Sequence, residues 1–150
     1  MKKLAVIIVL AAVLLPCTLT AKDKNFGLGI ILGEPTGISL KKWFGGTTAI
    51  DCAVAWAFGR EDSFHLHADY LIHKINLFNV ESGTLPLYYG IGIRFKAEQN
   101  ARLGIRIPVG LCYIFEEAPI DIFLELGPIL DIAPDMSFGF TGSIGARYYF

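Results

Sequence analysis

Net charge is nearly absent from this chain: 13 Lys and Arg stand against 14 Asp and Glu, leaving −1 over 150 residues. So even a balance offers no field for a polyanion and argues against nucleic acid as a partner. Cysteine is scarce, with three in all, which is too few for a small domain stapled by disulfides. Long apolar runs are missing too. The one uninterrupted stretch, Leu4 to Leu15, falls short of the roughly 20 residues a helix needs to cross a bilayer. No 11-residue window shows an apolar stripe at helical spacing, so a helical bundle is not expected.

What is present is hydrophobicity, at 53% of residues, and an alternation of period two. The start of the chain accounts for part of the apolar excess. Lys2 and Lys3 precede Leu4 to Leu15, and "PCTLTA" breaks the run before the charged "KDK". That order predicts a cleaved secretory signal peptide over residues 1–21 and one domain over 22–150. Leu19 sits where a small residue is preferred, and Cys17 offers lipidation as an alternative, although Pro16 fits a lipoprotein box poorly. Cys52 and Cys112 remain after processing; strand parity points them to opposite faces, against an intrachain disulfide.

From Phe26 onward turn-like clusters punctuate the alternation and divide it into eight expected strands. They begin near Phe26, Thr36, Ala49, Ser63, Leu85, Arg102 and Ile120, with a last one ending at Phe150. A looser stretch from Asn76 to Gly83 forms the longest connection. Sorted by parity, one face collects large apolar residues such as Leu28, Ile30, Tyr70, Ile91, Ile93, Leu124 and Ile144. The other is small and polar. It holds glycines and alanines together with Lys41, Asp51, His65, His67, Asp69, Arg94, Arg102, Arg106, Asp121, Glu125 and Arg147.

An eight-stranded bore could not contain the large set, and soluble surfaces are not built of Gly and Ala. The pattern therefore predicts an all-β fold, an eight-stranded antiparallel up-and-down transmembrane β-barrel with its charges inside. Opposite charges in so narrow an interior are expected to pair and plug it, because buried charge survives only when compensated.

"FGLGIILGEPTGISLKKW", "LPLYYGIGIRFK", "LGIRIPVGLCYIFEEAPIDIFLELGPILDIAP" and "GSIGARYYF" resemble a family of small outer-membrane β-barrel proteins of spirochaetes and other Gram-negative bacteria. The resemblance covers nearly all of residues 22–150. It implies an outer-membrane address, with outer-membrane lipid and the barrel-assembly machinery as partners. The terminal Ile144, Ala146, Tyr148 and Phe150 are similar to the signal that machinery reads. Some relatives bind a host complement regulator, so a host or envelope protein is implied as a further partner. Against that, the connections "GEP", "GRED", "AEQN" and "DIAPD", which the family topology would place outside, are all short.

Chemistry is sparse. "FHLHADYLIH" places His65, His67, Asp69 and His73 on one strand face, and an H-x-H pair can offer two imidazoles to a metal. Three ligands on one strand rarely converge, so the expectation is no metal, no cofactor and no catalytic residue. These groups are expected instead to hydrogen-bond into the polar interior, where the histidines could confer sensitivity to pH. "GLGIILG" lacks the spacing of a nucleotide-binding loop, and Ser63 beside His65 is too common a pair to mark a nucleophile. The expected function is non-enzymatic: a structural outer-membrane protein or one of limited solute passage. The alternatives are a surface interaction module and a soluble, lipocalin-like periplasmic binder whose apolar face lines a pocket.

Overall fold

The computed structural model describes residues 24–33, 36–57 and 62–150; the expected signal peptide at 1–21, with Cys17, lies outside them. Alternation extends the chain into β1 (Phe26–Gly33), β2 (Gly37–Phe44), β3 (Thr48–Ala57), β4 (Ser63–Lys74) and β5 (Leu87–Ala97). These are followed by β6 (Ala101–Arg106), β7 (Val109–Ile114), β8 (Ile120–Ala133) and β9 (Ser137–Tyr149). The strands form one sheet in the order β4-β3-β2-β1-β9-β8-β6-β5-β7, and further pairings join β4 to β5 and β7 to β8. Pairing thus runs in a ring, antiparallel throughout, with the first strand hydrogen-bonded to the last.

The expectation of an eight-stranded transmembrane barrel is corrected here to a nine-stranded antiparallel sheet with ring pairing. The stretch from Arg102 to Ile114, read as one strand, is two. Pro108 has no N–H to give to a ladder, and Pro128 lies across from the break on β8. The Ile107 N–H donates to the Pro128 carbonyl at 3.0 Å, and the Pro108 carbonyl accepts from Gly90 N–H at 3.0 Å. Two facing prolines therefore interrupt the ladder without parting the chain from its neighbours. Close by, the β6–β8 register shifts between Leu103 and Gly104, an irregularity of the β-bulge kind. Among the described residues no helix is long and apolar enough to cross a membrane.

The two sides of the sheet differ as the alternation requires. On β8, Asp121, Phe123, Glu125, Ile129 and Asp131 are buried while Ile122, Leu124, Leu126 and Leu130 are exposed. The buried apolar cluster is small, made of Ile31, Ala53, Leu71, Tyr88, Cys112 and Phe123. Most of the inner volume goes to polar side chains. Arg106, Arg147 and Lys41 are among the largest fully buried residues, so the interior leaves little room for apolar packing and each buried charge needs a compensating partner.

Candidate functional site: a buried network of charges

Three clusters follow one another through the interior. At the first, β9 supplies Arg147 and β8 supplies Asp121, which face each other because the β8–β9 register sets them opposite. Arg147 Nε donates to Asp121 Oδ1 at 3.1 Å, and Tyr149 Oη donates to Asp121 Oδ2 at 2.5 Å. The Cys112 thiol also points at Asp121 Oδ2, at 3.4 Å. Arg147 stacks over Phe123, with Cζ 4.0 Å from the ring centroid. Burial would raise Asp121, but Arg147, Lys41 and the Tyr149 hydroxyl overcome it and hold the carboxyl below its ordinary value.

Lys41 lies in the same region and is 1% exposed. Its Nζ is 2.8 Å from His73 Nε2, while His73 Nδ1 lies 3.2 Å from the Thr47 carbonyl. The Trp43 ring sits 4.4 Å from the ammonium. Desolvation, then repulsion by Arg147, bring Lys41 down to about 8, and desolvation with Lys41 beside it brings His73 down to about 3.

The central cluster is built on Arg106 of β6. Its Nε lies 3.0 Å from Asp69 Oδ2, and its Nη2 donates to Glu125. Its Nη1 donates to His67 Nδ1 at 3.0 Å, and Tyr88 Oη donates to Glu125 Oε2 at 2.8 Å. Asp51, directly across the β3–β4 pair from Asp69, links this cluster to the first through Arg147 Nη1 at 3.6 Å. Desolvation first, and then Arg106, push His67 well below its ordinary value.

The third cluster is Arg94 with Asp131, at 2.6 and 2.7 Å to the two carboxylate oxygens, joined by the Ser137 hydroxyl. His65 is half-buried beside His67, their ring centroids 5.7 Å apart. Arg102 is exposed at the end of the sheet, opposite Lys96, and takes no part in the buried clusters. Ile144, Tyr148 and Phe150 are exposed and Ala146 is half-buried, all on the outer side of β9 and its end.

Several inner residues escape a parity reading of the sequence. Asp131 lies beyond the expected end of its strand, at "DIAPD". Tyr88, Tyr149 and Phe123 are large aromatics on the small, polar side, each accommodated by a glycine across the sheet. A Cβ on Gly110 would lie 2.5 Å from the Tyr88 ring, and one on Gly27 would lie 2.8 Å from the Tyr149 ring. An excess of inward glycines is the available clue to these aromatics.

Asp51, His67 and Asp69 are the one group of at least three such side chains among the described residues with metal-ligand geometry, their donor atoms within 4.8 Å of one another. Arg106 already engages two of the three. Cys52 and Cys112 are both free thiols.

Comparison of the chain with family models, with curated proteins and with solved structures finds no match in any of the three. The resemblance to the spirochaete-type outer-membrane family is accordingly corrected, for none of these comparisons supports it. The readings that rested on it and on an eight-stranded barrel are withdrawn with it: the integral outer-membrane protein of structural or solute-passing, porin-like role, the module for a complement regulator, and the outer-membrane location. The lipocalin-like binder is overturned by geometry, since the large apolar residues point outward and paired charges fill the inside. In place of these stands an all-β domain of nine strands with a charge-paired interior and a buried His/Asp cluster.

Proposed function

We propose that the protein is a non-catalytic, lipid-binding β-domain whose outer side is covered by acyl chains. One observation carries this reading: every strand exposes large apolar side chains. Ile30 on β1, Ile38 on β2 and Ile50 on β3 are joined by Tyr70 on β4, Ile93 on β5 and Ile105 on β6. Val109 on β7, Leu124 on β8 and Ile144 on β9 complete the circuit. Cross-strand register makes the face continuous, with Ile30 beside Ile38, Tyr70 beside Ile91, Ile93 beside Ile105 and Leu124 beside Ile144. Monomers in water rarely leave apolar patches of more than a few hundred Å² uncovered. A protein partner seats against one side of a molecule, whereas a face that continues through all nine strands suits a fluid that surrounds it.

Absence of catalysis in this proposal rests on how the chemical groups are used. The inner guanidiniums and carboxylates are buried and paired with one another inside the sheet, away from the apolar face that would meet a lipid.

Flotation with phosphatidylcholine vesicles tests the reading. The purified chain should rise with the vesicles, and a variant carrying Ile91→Lys, Ile93→Lys and Leu124→Lys should stay behind while keeping its β-sheet circular dichroism. A chain that is a folded monomer in plain buffer and ignores vesicles would overturn it.

A further inference from the structure

We infer that the buried cluster holds one proton between the carboxyl groups of Asp51 and Asp69. Among the described residues the buried charged side chains comprise Lys41, Arg94, Arg106 and Arg147 against Asp51, Asp69, Asp121, Glu125 and Asp131. Arg94 and Asp131 neutralise each other at one end. The remaining interior then has three cations for four carboxylates. An uncompensated charge at such depth is too costly to keep.

Histidine cannot supply the missing positive charge. The Arg106 guanidinium is always protonated, so His67 Nδ1 must accept from it and His67 must be neutral. His73 Nε2 meets Lys41 Nζ at 2.8 Å, and that contact requires that the two groups share a single positive charge. His65 is only half-buried, and burial with Arg94 and Arg106 nearby holds it down to about 4, so the compensating proton sits on a carboxyl.

Donors already fill two of the four candidates. Asp121 receives Arg147, Tyr149 and Cys112; Glu125 receives Arg106 on one oxygen and Tyr88 on the other. Asp51 Oδ1 and Asp69 Oδ1, by contrast, are buried with no hydrogen-bond donor, and Asp69 Oδ2 has the Arg106 Nε at 3.0 Å without an aligned hydrogen bond. These two residues face each other across β3 and β4, at 4% and 1% exposure. Carboxyl oxygens of the two lie within 4.8 Å of each other, and at that separation in a low dielectric a shared proton relieves the repulsion of two ionised groups. Burial, with Asp51 and Glu125 adding to it against the opposing pull of Arg106, pushes Asp69 up to about 9.

The groups facing this pair come from every neighbouring element. Lys41 stands on β2, Cys52 on β3, His67 on β4 and Tyr88 on β5. Arg106 comes from β6, Glu125 from β8 and Arg147 from β9. Strand β1 brings none, its inward residues being Gly27, Gly29 and Ile31. Gly92 is part of the arrangement, because a side chain there would collide with the Asp69 carboxyl.

A metal ion would answer the same deficit less well. With Nδ1 accepting from Arg106, neutral His67 carries its proton on Nε2, and that nitrogen, 3.6 Å from Asp69 Oδ2, has no lone pair for a metal. A divalent ion would also leave the interior one charge too positive.

Infrared spectroscopy of the full chain in detergent, in H₂O and in D₂O, tests the proposal. At neutral pH the wild type should show a protonated-carboxyl C=O band that shifts on deuteration. Asp51→Asn and Asp69→Asn, each a neutral mimic of the protonated partner, should each abolish it. Absence of the band in the wild type, or its survival in both variants, overturns the inference. So does elemental analysis that finds one zinc or calcium ion per chain after dialysis, and this measurement does not depend on whether either variant folds.

Discussion

Tyr88 lies over Gly110 across the β5–β7 pair, close enough that a Cβ at 110 would meet its ring at 2.5 Å. The same tyrosine gives its hydroxyl to Glu125, so ring position and hydrogen bond are set together. Gly110→Val should therefore push the ring off its site and strand one Glu125 oxygen. A loss of about 1–3 kcal/mol is expected in a denaturant titration. Gly139→Ala is the control, since no atom lies within 4 Å of a Cβ there, and it should change the midpoint little.

Glycine also marks the boundary of what the sequence discloses. Period two is legible wherever alternation is unbroken, and it groups Asp51 with Asp69 or Asp121 with Glu125 without any knowledge of pairing. Phe123 obeys the same parity, yet residue type suggests the opposite side. Its place becomes intelligible only when register sets it across from Gly145, where a Cβ would strike the ring. The division of β6 from β7 depends likewise on two prolines 20 positions apart meeting across strands. Pro108 alone could have been read as a break; Pro128 opposite it could not. Arg102 has the parity of Arg106 but stands at the strand end, where being inward no longer means being buried.

Arg106 is the cation on which the central cluster depends. Arg106→Met leaves Asp69 and Glu125 without their guanidinium in a dry interior, and such one-sided losses cost about 3–5 kcal/mol. Adding Glu125→Gln removes one of the stranded charges and keeps an acceptor for the Tyr88 hydroxyl. The double variant is expected to be more stable than Arg106→Met alone, a coupling that a double-mutant cycle measures directly.

Phe123 has two tasks: filling the space over Gly145 and giving Arg147 a ring face at 4.0 Å. Phe123→Ala opens a cavity beneath a buried guanidinium, and the expected cost is about 3–5 kcal/mol. Phe123→Leu restores part of the volume without the π face. The gap that remains between Leu and wild type bounds the cation–π contribution from above, which is itself about 0.5–2 kcal/mol.

Stability should have an optimum near neutral pH, with different residues on its two sides. His73 is depressed to about 3 and His67 well below 6.5, so the unfolded chain takes up protons that the folded chain refuses as pH falls below 6.5. Their contribution is present above 6.5 and lost on acidification, at about 1.4 kcal/mol per pH unit for each group. Asp69 has the opposite sign. Raised to about 9, it keeps a proton that the unfolded carboxyl sheds, so its contribution is full below 3.8 and declines until pH passes about 9. Between 4 and 6.5 the lowered histidines, His65 at about 4 among them, outweigh the raised carboxyls and stability rises with pH; above 6.5 the histidines are neutral in both states, Asp69 remains raised and stability falls. Lys41, lowered to about 8, begins to offset that fall once pH exceeds 8, which makes 6.5 to 8 the window to measure. Thermal midpoints across this range should decline in the wild type and decline less in Asp69→Asn. His73→Gln should leave the decline untouched and flatten the acid side, and the reverse assignment of the two slopes would refute the protonation states given to these residues.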